Sequence, residues 1–316
     1  MISIQQIRDS DNKILVLGNH EPIIQSILDF DYLSNKTKPS VAGIMTGKRG
    51  VAKYFFGRNE IMIPTLTSPV SNVFTLKSSL WFLNLNSGRR VLASSTSALQ
   101  VGCLGGAIFA ENVPELHSLQ IISTIHNLPS TKLVVGPASV GLLVPGALKL
   151  GPIGGITPKQ IIEGQITESG SVAVLSASGG MTNELINIAS QAGHKLSFAL
   201  SFGGDRFPVL SPRDAFLLAE SDPATKTVLY YGELGGEDEY ELVKLKQEDQ
   251  FTKNVIAHIA GTVASLFPES PQFGHAKAKA DKERTTATAK RATLKSVGFQ
   301  VSNSFTEFII LVNKLK

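Results

Sequence analysis

Short apolar runs that end on glycine recur along this chain, and a segment of helical spacing follows them. Lys13–Gly18 (KILVLG) and Lys132–Gly136 (KLVVG) are clear cases. Such runs read as parallel strands turning at a glycine. After the first, Glu21–Phe30 carries Ile23, Ile24, Ile27 and Leu28 on one helical face. Further strands are expected at Ser40–Thr46, Glu60–Pro64 and Leu80–Leu85. Gly106–Ala110 leads into Glu111-Asn112-Val113-Pro114, after which a helical pattern runs to His126. Strand alternating with helix predicts an α/β fold with a doubly wound sheet.

Val144–Thr157 is rich in glycine, contains two prolines and has no strong period. The division is drawn there, giving domains 1–155 and 156–316. The second half restarts the same grammar. Strands are expected at Ser171–Ser176, Leu196–Phe202, Thr227–Tyr231 and Asn254–Ala260. Helices are expected at Met181–Gln191, Pro212–Glu220, Glu237–Glu248, Lys277–Ser296 and Phe305–Lys314.

With 316 residues, 42% of them hydrophobic, each half can bury its own core. The net charge of +4 does not call for nucleic acid; anionic small molecules suit it equally. Cys103 is the only cysteine, which excludes an intrachain disulfide and a cysteine metal cluster and points to a reducing, cytoplasmic setting. No apolar run approaches the ~20 residues of a membrane helix, and no secretory leader is visible.

Three segments carry chemistry. Ser178-Gly179-Gly180 stands where a strand pattern becomes a helical one. Free N–H groups and the positive end of the helix dipole collect there, and glycines let an anion approach. The same residues also read as a plain capped turn. Gln272-Phe273-Gly274-His275-Ala276 places a histidine in a glycine-containing loop. An imidazole can attack a phosphoryl group near neutral pH, and a carboxylate on its other nitrogen would fix the tautomer. Glu233, at a strand end before Gly235-Gly236, is the expected carboxylate, although an acid at a helix start is common. His20, His117, His126, His194 and His258 read as surface or packing groups. Arg89, beyond the strand at Leu80–Leu85, reads either as a solvated loop cation or as a ligand-phosphate contact at a strand end.

The runs Val144-Pro145-Gly146, Lys149-Leu150-Gly151, Ser178–Leu185, Gly203-Gly204-Asp205, Gly232–Gly236 and Gly274-His275-Ala276 resemble the α subunit of succinyl-CoA synthetase. Leu28–Tyr32, Pro39-Ser40-Val41-Ala42, Gly204–Pro208 and Gln272–Ala276 are more similar to the corresponding segment of ATP-citrate lyase. The resemblance implies an N-terminal Rossmann-like CoA-binding domain followed by a flavodoxin-like ligase domain. It implies an acid–CoA ligase subunit working with CoA, ATP and Mg²⁺, and with an ATP-grasp β-type partner in a hetero-oligomer. The carboxylic acid would be citrate; succinate and a non-catalytic CoA-binding scaffold are the alternatives.

Carried onto this chain, the resemblance makes His275 the phosphorylated residue. Glu233 becomes its partner or a Mg²⁺-associated acid. Ser178, Gly179 and Gly180 hold phosphate. Ser87 and Arg89 contact CoA, as do Leu294 and Lys295 in the stretch Leu294–Ser304. The chain departs from the family at Lys277, which follows Ala276 where glycine is usual, and at Ala177, where an arginine is usual. Lys277 either restores positive charge near the phosphate or marks altered activity.

Overall fold

The computed structural model describes residues 1–68, 79–275 and 277–315; Ala276, the last residue of the histidine motif, lies outside them. The strands fall into two seven-stranded, mostly parallel sheets. The first contains β1 (Asn12–Leu17), β2 (Val41–Met45), β3 (Gly50–Phe56), β4 (Asn59–Leu66), β5 (Ser79–Asn84), β6 (Gly105–Ile108) and β7 (Leu133–Val135). Its order is β3-β4-β2-β1-β5-β6-β7. All pairs are parallel except the edge hairpin β3–β4. The six strands from β4 to β7 have the Rossmann order, so the path reverses between β1 and β5.

The second sheet contains β8 (Leu142–Val144), β9 (Leu148–Leu150), β10 (Val172–Ser176), β11 (Leu196–Ser201), β12 (Thr227–Glu233), β13 (Asn254–Ala260) and β14 (Gln300–Ser302). Its order is β14-β13-β12-β10-β11-β8-β9. The five parallel strands follow the flavodoxin pattern, with the reversal between β10 and β12. The antiparallel hairpin β8–β9 is added beside β11.

Several elements differ from expectation. The hairpin Leu142–Leu150 lies upstream of the division expected at 155, yet it is hydrogen-bonded into the second sheet. Strands this short show no period, and their glycine-rich flanks resemble a linker. Strand β3, strand β14 and the helix Val91–Gln100 (VLASSTSALQ) were not foreseen. The helix expected over Lys277–Ser296 is confined to Ala287–Ser296, where Thr286 caps it by accepting from the Ala289 N–H. Upstream, the chain lies on Gly235: a Cβ there would sit 2.0 Å from the Lys277 carbonyl oxygen and 2.6 Å from the Lys279 nitrogen.

The two sheets share a core. One apolar cluster runs from Ile14 and Trp81 through Leu142 and Leu148 to Phe198 and Phe216. Polar residues also tie the halves. Lys149 on β9 is buried, and its ammonium donates to Ser26 Oγ at 2.9 Å and to the Gly151 carbonyl at 2.9 Å. Burial lowers its pKa to about 7, with Asp29 and Asp31 working in the opposite direction. Asp31, inside the motif Leu28–Tyr32, is likewise structural: it accepts from the Ser40 N–H and hydroxyl and pairs with Lys36 at 2.7 Å.

Candidate active site

Glu233 is the last residue of β12, and Ser178 stands two residues beyond β10. The register pairs Ser176 with Tyr231, so Ser178 and Glu233 emerge at the same level of neighbouring strands. That level is the reversal point of the second sheet, where open parallel sheets leave a crevice. His275 reaches the same end of the sheet. Its Nδ1 lies 2.7 Å from Glu233 Oε1. Facing a carboxylate, Nδ1 carries the proton and donates it, which leaves the Nε2 lone pair of the neutral ring free.

The Glu233 hydrogen bond raises the His275 pKa above its ordinary 6.5. Burial and Lys277 pull it down, while the charges of Glu233 and Glu111 add to the rise. The ring lies flat against Gly204, where a Cβ would come within 2.3 Å of Cδ2 and 2.6 Å of Nε2. Gly204 follows β11, so the ends of β11 and β12 build the histidine seat.

A buried cation fixes the Glu233 turn. Lys290, on the helix Ala287–Ser296, ion-pairs with Glu239 at 2.7 Å and donates to the Glu233 carbonyl at 2.8 Å and to the Gly235 carbonyl. Tyr230 donates to the other oxygen of Glu239 at 3.0 Å. Desolvation of this ion pair is costly, but the bonds to backbone carbonyls saturate the ammonium and lock the turn. Lys277 is equally committed: it pairs with Asp238 and lies 5.4 Å from the Phe202 ring centroid.

At the phosphate-seat candidate, Ser178 caps the helix Gly179–Gln191 by accepting from the Met181 N–H. The two glycines differ in purpose. A Cβ on Gly179 would strike Val140 Cγ1 at 2.6 Å, so this glycine serves close packing. A Cβ on Gly180 would meet nothing within 4 Å. Gly180 opens on a cavity of about 360 Å³ shared with Gly154, Gly155 and Asn183.

In the first sheet, Ser87 is exposed and precedes the short turn Gly88–Arg90; Arg89 is exposed within it. The turn lies beyond β5, at the β1–β5 reversal, and Gly18 beyond β1 packs against Leu85 and Asn86. An exposed guanidinium at a reversal point suits a phosphorylated ligand such as CoA. Leu294 does not: its side chain is fully buried in the core and has no surface for a ligand. Lys295 follows on that helix and donates to Asn303 Oδ1 at 2.9 Å. Among the described residues no group of three His, Cys, Asp or Glu could hold a metal. Glu233 is engaged by His275, so this donor set does not fit Mg²⁺ by itself.

Residues 175–299 match the CoA-ligase family. The chain is 39% identical over 284 residues to ATP-citrate synthase beta chain protein 1 of Arabidopsis thaliana, covering 89% of this chain and 46% of that protein. The chain belongs to the CoA-ligase family. Two solved structures align with this chain over 96% of its length at 35% identity. One is an ATP citrate lyase of Methanothrix soehngenii in complex with citrate and coenzyme A, with a TM-score of 0.91. The other is an ATP citrate lyase of Methanosaeta concilii in complex with (3S)-citryl-CoA, with a TM-score of 0.90. The alignments cover 49% of each of those chains, so this chain spans about half their length.

Residues to which motif reading gave no role border the histidine seat. Glu111 of the first half acts electrostatically on both His275 and Asp205. Burial raises the Asp205 carboxyl, while the Val113 and Asn112 N–H groups draw it down across the seam. Its Oδ2 is shielded and has no hydrogen-bond partner among the described residues. Gly88 packs on the Glu111 and Asn112 carbonyls, so the Ser87–Arg89 turn and the histidine seat abut the same short segment. The signal for Gly204 lay in Gly203-Gly204-Asp205; Glu111, one acid before a helix, had none.

Proposed function

We propose that this chain is the α-type subunit of an ATP-dependent acid–CoA ligase that forms citryl-CoA through a phosphohistidine. The observation that carries the reading is the 2.7 Å contact of His275 Nδ1 with Glu233, which leaves Nε2 as the nucleophile. Nε2 bonds to the γ-phosphorus of ATP as the bond to ADP breaks, and Glu233 balances the positive ring. A substrate carboxylate oxygen then takes the phosphorus, which frees His275 and leaves an acyl phosphate. The CoA thiolate displaces phosphate from the carbonyl carbon. An ATP-grasp partner supplies the nucleotide, and magnesium would accompany its phosphates. The first half, with Ser87 and Arg89, receives CoA; Ser178, Gly179 and Gly180 receive the phosphoryl oxygens.

The citrate assignment is supported by the likeness to ATP citrate lyases bound to citrate, coenzyme A or citryl-CoA. The test supplies the ATP-grasp half of a related ATP citrate lyase, Mg²⁺ and ATP, and reads intact mass at alkaline pH. One added phosphoryl group is expected on the wild type and none on His275→Asn. Labelling that persists in His275→Asn overturns the reading. CoA binding without any labelling would instead support the non-catalytic scaffold. Product formation across a panel of acids would separate citrate from succinate.

A further inference from the structure

The end of β12 and the turn after it carry the carboxylate that faces His275, and one buried ion pair touches that whole stretch. Lys290 directs its ammonium protons to Glu239, to the Glu233 carbonyl at 2.8 Å and to the Gly235 carbonyl, which uses all three. Glu239 accepts from Tyr230 at 3.0 Å. The same oxygen lies against Gly232, where a Cβ would come within 2.1 Å of it. The two side chains are 1% and 3% exposed, so water does little to screen either charge. Burial pushes the Glu239 carboxyl up, Lys290 draws it down, and Asp238 adds to the rise. Backbone hydrogen bonds alone can hold a turn, and a desolvated cation and anion at 2.7 Å are an expensive substitute. Their placement beside the histidine's carboxylate points to a second role.

We propose that Lys290 and Glu239 are a positioning pair for the contact between His275 and Glu233. Lys290 sets the backbone of the turn. Glu239 holds the lysine's charge away from the Glu233 carboxylate, which is thereby left to the histidine. The other acids around this turn are already engaged: Asp238 by Lys277, and Glu237 by Arg284 at 3.2 Å. With Glu239 neutralised, Glu233 is the acid left for the Lys290 ammonium, and the cation would compete with the imidazole for it. Even without moving, an uncompensated cation in this interior would oppose protonation of the ring. The bearing of the pair on catalysis rests on the phosphohistidine reading; its hold on the contact itself does not.

The experiment titrates the His275 ring by NMR in the full chain, without partner or nucleotide. The wild-type midpoint is expected above 6.5. Glu239→Gln keeps the shape of the side chain and removes the counter-charge, so the midpoint should fall. Adding Lys290→Met in that background removes the competitor, so the midpoint should recover to the wild-type value. Lys290→Met alone should not lower it. Damage to packing would move all three variants the same way; competition for charge does not. Removing both charges of a buried pair disturbs a fold less than removing one, so the double variant still decides the matter if a single variant fails to fold. Thermal melts check each variant. Given an ATP-grasp partner, ATP and Mg²⁺, the double variant should still phosphorylate His275, but about tenfold more slowly, because the Glu233 turn is no longer held. An unmoved midpoint in Glu239→Gln, a fall in Lys290→Met alone, no recovery in the double variant, or undiminished transfer by it would each overturn the pair. If the midpoints move as expected while a competent partner never phosphorylates the wild type, the phosphohistidine reading fails and the pair stands. If His275 is phosphorylated but the three midpoints fall together, the pair alone fails.

Discussion

The histidine and its carboxylate set the pH response of the site. His275 is held above its ordinary pKa chiefly by its hydrogen bond to Glu233. The stability this pair contributes is fully present below 6.5, the unpaired value, and fades as pH rises through the folded value. Nucleophilicity has the opposite sign, because only the neutral ring offers Nε2. Phosphorylation of the wild type should therefore rise with pH to a midpoint above 6.5. In Glu233→Gln the midpoint should fall toward that value, and the plateau rate should drop about 100-fold through loss of the balancing charge. Histidine titration by NMR together with the rate profile measures both; an unmoved midpoint would show that Glu233 does not govern the ring. The residue types of this pair were legible from sequence, because a lone histidine in a glycine-bounded loop and an acid at a strand end are local patterns. The roles of Glu111, Asp205 and Lys290 were not, because each matters only through a neighbour distant in the chain. Leu294 was misplaced because a core leucine and a ligand-facing leucine are identical as letters.

Among the elements, the helix Gly179–Gln191 separates structural from functional demand at adjacent glycines. Gly179→Ala should destabilise the fold by about 1–3 kcal/mol, since its methyl would overlap Val140. Gly180→Ala meets open space and should be neutral or stabilising by about 0.5 kcal/mol. If Gly180 admits phosphoryl oxygens, that stable variant should nevertheless transfer phosphate more slowly; thermal melts beside single-turnover labelling decide it, and undiminished transfer would remove Gly180 from the site. Long parallel strands and the amphipathic helices beside them were readable by period. The short strands β8, β9 and β14 were not, since three residues cannot display one. The stretch 277–286 looked helical because Ala and Lys favour helix, yet its packing on Gly235 and the cap at Thr286 override that propensity.

In the whole molecule, two reversal points face a shared seam. Lys149 reaches across it to Ser26, Asp205 reaches across it to the N–H groups of Asn112 and Val113, and one apolar cluster spans both sheets. Arg8 also crosses it, pairing with the buried Asp222 at 3.1 Å. The alternation of strand and helix predicted two α/β units. It could not predict that the hairpin β8–β9, upstream of the expected division, would join the second sheet, because pairing partners far apart in sequence leave no local trace.

That hairpin determines where the gene can be cut. A fragment ending at residue 155 would retain β8 and β9 but lose β11, the neighbour that β8 pairs through Leu142–Leu200 and Leu143–Ala199. Leu142, Leu143 and Val144 are at most 1% exposed in the intact chain, so the orphaned strand would present bare backbone and apolar side chains to solvent. Expressed alone, 1–155 should precipitate or self-associate, and 1–136 should remain more soluble, as light scattering would show. Equal solubility would mean that the hairpin folds back on its own half. Co-expressed with 156–316, the longer fragment should recover, the missing neighbour acting as its chaperone.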